Sequence, residues 1–240
     1  MTTYYLIFGA NSDIAKEIYN YKKKGNYILI SKNNIATKLR KGDIFFKLDL
    51  SKRENYYENI VNILNKYSIS KIFLIQGFRP DFSEYNYLYK NISDNFRINL
   101  ESFAIILNTI NRNQPSNLNE IIIFGSVAGD RGKSTNPVYD ASKSGLHELA
   151  RGYRSIFKQK KINVLLVKPG NIDTKMTKDI IKKYLWVTTK IPANDVLKNL
   201  NKNKFILYTP WFWRWIMLFI RILPEYFFDL LQLDKKNNVK

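Results

Sequence analysis

Residues 3–15 read TYYLIFGANSDIA, and the fold turns on this stretch. A short run rich in aromatic and aliphatic residues stops at Gly9, and a helical pattern resumes at Ile14. Strand, glycine turn and helix opening in that order describe the start of a βα unit. Such a turn aims backbone N–H groups and the positive helix end at an anion. Gly9 lets the chain turn beneath phosphates, and Asn11 and Ser12 add side-chain donors. Asp13 reads equally well as an ordinary helix N-cap, so the turn alone is a weak signal.

The alternation continues along the chain. Residues 26–31 (NYILIS), 44–48 (IFFKL), 71–76 (KIFLIQ), 120–125 (EIIIFG), 161–168 (KINVLLVK) and 204–208 (KFILY) read as further strands. Residues 14–21, 56–67, 92–110 and 138–159 read as helices between them. Strands that are apolar throughout need cover on both faces. The prediction is an α/β doubly wound parallel sheet (Rossmann fold) of about seven strands. It occupies residues 1–210 as one domain, with a C-terminal apolar helical extension over 211–240. Ligands of such a sheet bind beyond the carboxyl ends of its strands, where strand order reverses.

Composition removes several chemistries. There is no cysteine and a single histidine, His147, read as structural. Disulfides, thiolate nucleophiles, a metal site and a Ser-His-Asp triad are therefore not expected. The chain enters its first strand at once, without a leader pattern, and a cytoplasmic setting is expected. The net charge of +19 reads as attraction to an anionic partner or as drift in a Lys-, Asn- and Ile-rich composition. The lysines are scattered and no recognition motif is found, so nucleic acid is not expected as a partner.

After the second strand, where an acidic residue would grip a ribose 2′-hydroxyl, stand Ser31 and Lys32. These suit a 2′-phosphate, which favours NADP(H) over NAD(H). Asp49 ends the third strand and can accept from an adenine amino group, or is simply an exposed loop carboxylate.

Tyr139 and Lys143 lie four residues apart near a helix start and project from one face. Ser126 follows a buried strand thirteen residues before Tyr139. Reduction of a carbonyl needs a proton donor at its oxygen. A free tyrosine, with a pKa of about 10, exchanges protons poorly at neutrality, and a nearby ammonium stabilises its phenolate. A serine hydroxyl can hold the carbonyl oxygen. In a chain with 16 tyrosines a Tyr-x-x-x-Lys spacing alone means little. Its occurrence between a strand-borne Ser126 and the string KPGN after the next strand is the informative combination.

Over roughly residues 3–210 the chain resembles a classical short-chain dehydrogenase/reductase. The resemblance rests on the turn from Gly9, Asp49, RIN at Arg97 to Asn99, SVAG at Ser126, YDASK at Tyr139 to Lys143, and PGNIDT at Pro169 to Thr174. It implies a nicotinamide-dependent enzyme in which Ser126 orients the carbonyl and Tyr139 is the acid–base. Lys143 lowers the tyrosine pKa and holds the nicotinamide ribose, Asn99 anchors a proton-relaying water, and Thr174 bonds the carboxamide. Gly9, Asn11, Ser12, Asp13, Ile14, Ser31, Lys32, Asp49, Leu50, Gly77, Pro169, Gly170 and Ile172 complete the implied cofactor surface. Asp13 and Ala15 replace two glycines usual in the family, and Gln76-Gly77-Phe78 replaces Asn-Ala-Gly, so that Gln76 takes over a structural hydrogen bond. GANSDIA, SVAGDRG and the C-terminal extension together resemble the decaprenylphosphoryl-2-keto-erythropentofuranose reductase branch. That closer resemblance implies a keto-sugar reductase of cell-envelope glycan or lipid-linked sugar synthesis.

The extension holds three of the four tryptophans, Trp211, Trp213 and Trp215, with Arg214 and Arg221 interspersed. It is too charged to span a bilayer and suits either peripheral contact with the inner face of a membrane through residues 211–233 or packing on protein. Family members commonly associate, so a homo-oligomer is implied. Residues 171–195 form the loop expected over the substrate, with Trp186 in it. Two alternatives stand: a soluble dehydrogenase of a small alcohol or acyl ketone, and a non-catalytic nucleotide-binding regulator, against which the complete Asn, Ser, Tyr, Lys set argues.

Overall fold

The structure, a computed structural model, describes residues 2–21, 25–35, 38–52, 56–79, 89–178 and 184–236. Among these, nine strands are β1 (Thr3–Phe8), β2 (Asn26–Ser31), β3 (Ile44–Lys47), β4 (Ser68–Leu74), β5 (Glu120–Phe124), β6 (Asn163–Pro169), β7 (Ile172–Asp173), β8 (Val187–Thr188) and β9 (Ile206–Thr209). The helices are α1 (Asp13–Tyr21), α2 (Tyr56–Lys66), α3 (Tyr89–Phe96), α4 (Ser102–Asn113), α5 (Pro137–Gln159), α6 (Lys190–Asn199), α7 (Trp213–Ile222) and α8 (Glu225–Lys236). Seven strands form one parallel sheet in the order β3-β2-β1-β4-β5-β6-β9, and β7 and β8 pair separately. Strand order reverses between β1 and β4, which opens the ligand crevice there.

The pleat sorts each strand onto two cores. Leu6, Phe8, Ile28, Ile72 and Ile121 face Ile60, Phe103, Leu146 and Phe157 of α2, α4 and α5. Their neighbours Ile7, Leu29, Phe73 and Ile122 face Ile18 of α1 and Val196 of α6. Each such side chain, withdrawn from water, contributes about 1.5–3 kcal/mol. Burial on both sides is why these strands are legible as unbroken apolar runs.

Several boundaries differ from the sequence reading, each for a local reason. β4 runs from Ser68, because Thr3 and Tyr4 pair with Ser68 and Ile69, and it ends before Gln76. The helix expected over 92–110 is α3 and α4 joined through a π-helical turn, Arg97–Glu101. The loop expected over 171–195 holds the β7–β8 pair and the first turns of α6. Residues 179–183 of that loop and 237–240 of the tail lie outside the described residues.

The C-terminal extension is two helices. Leu223 is extended (φ −66°, ψ 126°), as a residue before proline prefers, and Pro224 breaks the run. Trp213 and Met217 of α7 pack on Val127. The Trp213 indole lies on Gly170 so closely that a Cβ there would come 1.8 Å from Nε1. Arg131 fastens the pair. Its guanidinium donates to the carbonyls of Ile220 and Leu223, pairs with Glu225 at 2.8 Å and lies 4.0 Å from the Phe228 ring centroid. A cation at a helix C-terminus also suits the helix dipole.

Replacing Arg131 with alanine is therefore expected to cost about 2–3 kcal/mol, as loss of charged hydrogen bonds does. Limited proteolysis of Arg131→Ala should then cut first within 211–236. Unchanged melting and cleavage would remove Arg131 as the anchor.

Candidate active site

The turn after β1 is dictated by Gly9. Its φ is +77°, and a Cβ would stand 2.6 Å from the Gln76 nitrogen, so a side chain is excluded by both conformation and space. Ser12, not Asp13, caps α1: its Oγ accepts from the Ala15 N–H at 3.1 Å, which corrects the reading of Asp13 as the cap. Asp13 enters the first turn of the helix instead. Its Oδ2 accepts from the Lys175 N–H at 2.9 Å, and Lys16 lies 3.6 Å from its Oδ1. The residue in place of a glycine thus ties the turn to the loop after β7 and is partly neutralised.

Asn11 stitches the turn to the end of β2. Its Nδ2 donates to the Asn33 carbonyl at 3.0 Å and to Ser31 Oγ at 3.2 Å. Ser31 is buried, and its hydroxyl donates to the Asn33 carbonyl. Lys32, with 63% of its side chain exposed, pairs with Asp49 at 3.1 Å. Burial acts to raise the Asp49 pKa, but two Ser51 hydrogen bonds and Lys32 outweigh it and hold the carboxyl below its ordinary value.

At the other end of the crevice the long α5 begins. Pro137 occupies its first turn, and Asn136 Oδ1 caps it by accepting from the Tyr139 N–H at 3.2 Å. Tyr139 and, one turn later, Lys143 then share the face turned to the sheet. Lys143 Nζ lies 5.9 Å from the Tyr139 ring centroid and donates to the Phe124 carbonyl at 3.1 Å. Burial pushes the ammonium down to about 7. Burial raises Tyr139, while a hydrogen bond with Ser126 and the positive charge of Arg79 pull it back.

Asn99 lies in the π-helical turn, where the extra residue in the turn re-aims side chains. Its Oδ1 accepts from the Phe78 N–H at 2.8 Å, and its Nδ2 donates to the Phe78 carbonyl at 2.7 Å and to Ser142 Oγ at 3.1 Å. Gln76 Nε2 reaches Ser102 Oγ at 3.3 Å, in line with a structural role. After β6, Thr174 forms a capping box with Thr177, whose Oγ1 accepts from the Thr174 N–H at 3.1 Å.

A buried polar cluster, invisible in the sequence, underlies Ser126. Asp130 binds Lys168 and the Tyr208 hydroxyl, the latter at 2.7 Å. His147 presents Nδ1 to Asp130 at 3.4 Å and Nε2 to the Ser126 nitrogen at 3.5 Å. Burial opposes ionisation of Asp130, yet His147, Lys168 and Tyr208 together bring its pKa down to about 2. Burial lowers His147, leaving the imidazole neutral, so that Nε2 can accept. The string DRG after SVAG contains one member of this cluster, Asp130, but nothing in it marks that side chain as buried. His147, read as structural, sits where it backs Ser126.

One cavity of about 1070 Å³ runs from Gly9, Ser12 and Lys32 to Ser126, Tyr139 and Lys143. It also takes in Ile14, Asp49, Leu50, Gly77, Ile172 and Thr174. The expected cofactor residues therefore converge on one crevice; Asn99 does not line it and is bonded to Phe78, which stands between the lining residues Gly77 and Arg79. The donor set fits a dinucleotide. A bare glycine turn leads to a helix N-terminus at one end, and at the other a buried ammonium uses one of its three hydrogens on Phe124. No cluster of His, Asp or Glu suited to a metal occurs among the described residues.

The short chain dehydrogenase family model matches residues 5–185. An oxidoreductase of Mycobacterium tuberculosis is 29% identical over 106 residues, which is 44% of this chain and 43% of that protein, so the match spans less than half of that relative. A 3-oxoacyl-[acyl-carrier-protein] reductase of Buchnera aphidicola is 29% identical over 201 residues, covering 80% of this chain and 82% of that protein. A short chain dehydrogenase of Burkholderia cenocepacia, solved in complex with NADP, superposes with a TM-score of 0.78 at 14% identity, over 93% of this chain and 98% of that one. A family model covering most of the chain, a sheet of the matching order and a single crevice holding Ser126, Tyr139 and Lys143 lead to one conclusion: the chain belongs to the short-chain dehydrogenase family.

Proposed function

We propose that this short-chain dehydrogenase reduces a keto-sugar to a secondary alcohol, with NADP(H) preferred over NAD(H), and that the sugar is borne on a lipid carrier of cell-envelope synthesis. The observation that carries the reductase reading is the convergence of Ser126, Tyr139 and Lys143 on one crevice, with Lys143 buried one helical turn behind Tyr139. Reduced nicotinamide, when bound, supplies the hydride. The Ser126 hydroxyl holds the carbonyl oxygen, and the Tyr139 hydroxyl gives it a proton as negative charge develops. Lys143 faces the phenolate that remains, and Asn99, locked to Phe78 and Ser142, fixes the floor from which the proton is restored. The cluster around Asp130 keeps the Ser126 loop in place without entering the chemistry.

The lipid carrier is supported by the outer face of α7 and α8. Trp211, Trp215, Phe219, Ile222, Tyr226 and Phe227 are all exposed there, with Ile222 at 71% and Tyr226 at 70%. The tryptophans and the neighbouring Arg214 and Arg221 suit a bilayer's headgroup layer with anionic lipid. No described helix is long and apolar enough to cross a membrane, so the contact proposed is peripheral. The NADP(H) preference is supported by Lys32: an exposed pair such as Lys32–Asp49 is worth about 0–1 kcal/mol and opens readily to a phosphate.

Four outcomes follow. Tyr139→Phe should lower turnover about 10²–10⁴-fold while NADPH still binds. In the wild type, kcat/KM for reduction should fall as pH rises through about 7, where Lys143 passes from ammonium to amine. An active Phe variant or a profile flat from pH 6 to 9 counts against the assignment. Nicotinamide fluorescence should report tighter binding of NADPH than NADH, with the difference abolished in Lys32→Ala; equal affinities in the wild type would sink the preference. The protein should float with vesicles containing phosphatidylglycerol but not with pure phosphatidylcholine, and Trp211→Ala/Trp215→Ala/Phe219→Ala should stay at the bottom. Absence of flotation removes the membrane contact.

A further inference from the structure

We infer that His147, held by Asp130, is a positioning residue for the reduction: its Nε2 takes the Ser126 N–H and so sets the Ser126 hydroxyl against the reacting carbonyl. The inference deepens the reductase reading and rests on it.

His147 is the third member of one stripe. It follows Tyr139 and Lys143 at intervals of four residues on α5, so the three side chains share a face. The imidazole is buried and fills a seat that two glycines leave open. A Cβ on Gly125 would stand 2.6 Å from His147 Nε2, and one on Gly129 would stand 2.7 Å from Cε1. These glycines bracket residues 126–128, so the ring plugs the turn that carries the Ser126 hydroxyl. Ser126 N–H donates to Nε2 at 3.5 Å, and Ser126 Oγ accepts from the Ala128 N–H at 3.1 Å. With one lone pair of that oxygen engaged, its proton and its other lone pair remain for a group in the cavity that Ser126 lines.

Charge decides the tautomer. Asp130 is ionised and already pairs with Lys168 of β6, while the Tyr208 hydroxyl of β9 donates to its other oxygen. Asp130 Oδ1 lies 3.4 Å from His147 Nδ1, so the ring presents a hydrogen on Nδ1 there. Burial lowers the His147 pKa from its ordinary value. Lys168 and, on its own helix, Lys143 act in the same direction, and together they outweigh the pull of Asp130. The imidazole is therefore neutral, with its one hydrogen on Nδ1 and an acceptor at Nε2. The opposite tautomer would set a ring N–H against the Ser126 N–H, donor facing donor. His147 itself does not line the cavity, so it acts on the reactants only through Ser126.

His147 is the chain's single histidine, so the ring nitrogens of protein labelled with ¹⁵N-histidine report it alone in an NMR spectrum. In the NADPH-loaded full chain at about pH 7.5, Nδ1 should be protonated and Nε2 bare. A hydrogen on Nε2 overturns the inference. Turnover is then read with ribulose and ethyl acetoacetate as ketone probes. His147→Phe keeps the bulk and loses the acceptor. It should lower kcat about ten- to hundredfold, as misplacement of a reacting group does, with the KM for NADPH nearly unchanged. His147→Gln, whose amide oxygen accepts, should recover most of that loss. Adding His147→Phe to Ser126→Ala should cost nothing further, because the imidazole acts through Ser126. Should the Phe variant fail to fold, His147→Leu takes its place. A Phe or Leu variant with full kcat, a Gln variant no better than either, or losses that add overturns the inference. A wild type that oxidises NADPH with neither ketone counts against the reductase reading instead. The tautomer alone then decides the contact, and a hydrogen on Nδ1 sustains it.

Discussion

A parallel sheet buried on both faces confines its chemistry to one edge. Leu6 and Phe8 are committed to one core and Ile7 to the other, and no side chain in the last half of β1 is left over for a ligand. The first residue released from this double burial is Gly9, and the same holds for Gly77 after β4, Ser126 after β5 and Gly170 after β6. The crevice is thus the place where strands stop being covered. Its position at the reversal between β1 and β4 is a consequence of strand order and does not depend on any single side chain.

At that edge, burial sets protonation as well as position. The same desolvation that drives Lys143 down to about 7 drives Tyr139 up, so the pair moves apart and burial favours the neutral form of each. What lowers Tyr139 in the protein alone is Ser126 and Arg79, whereas the family resemblance had pointed to Lys143. A cation from the loop after β4 therefore already acts where the proposed chemistry places negative charge.

Much of this was legible from residue order. Continuous apolar strands announced the parallel sheet, and TYYLIFG placed β1 and its turn to the residue. Ser126, Tyr139 and Lys143 were found because their spacing is local to one strand and one helix. The start of β4 was hidden, since SIS carries no strand signal until Thr3 pairs with Ser68. Asp13 was misread because serine and aspartate are both good caps and only the turn's geometry chooses between them. Arg79 and Lys133 come from separate loops, and only the fold brings both to the cavity wall near Asp140. The Asp130, Lys168 and Tyr208 cluster draws on a loop and two strands, and in sequence each member passes for a surface polar residue.

Arg131 follows Asp130 directly, so the segment that ends in the clasp on α7 and α8 begins at Ser126. Six residues, stiffened by a 3₁₀ turn at Val127–Gly129 and anchored at both ends, leave little slack between the two. The carbonyls of Ile220 and Leu223 and the hydroxyl of Ser126 therefore behave as two ends of one short strut. Substitutions in the C-terminal helices that shift their seating will register at the crevice, and changes in the 126–131 loop will register at the outer face. The two regions can diverge in sequence only together.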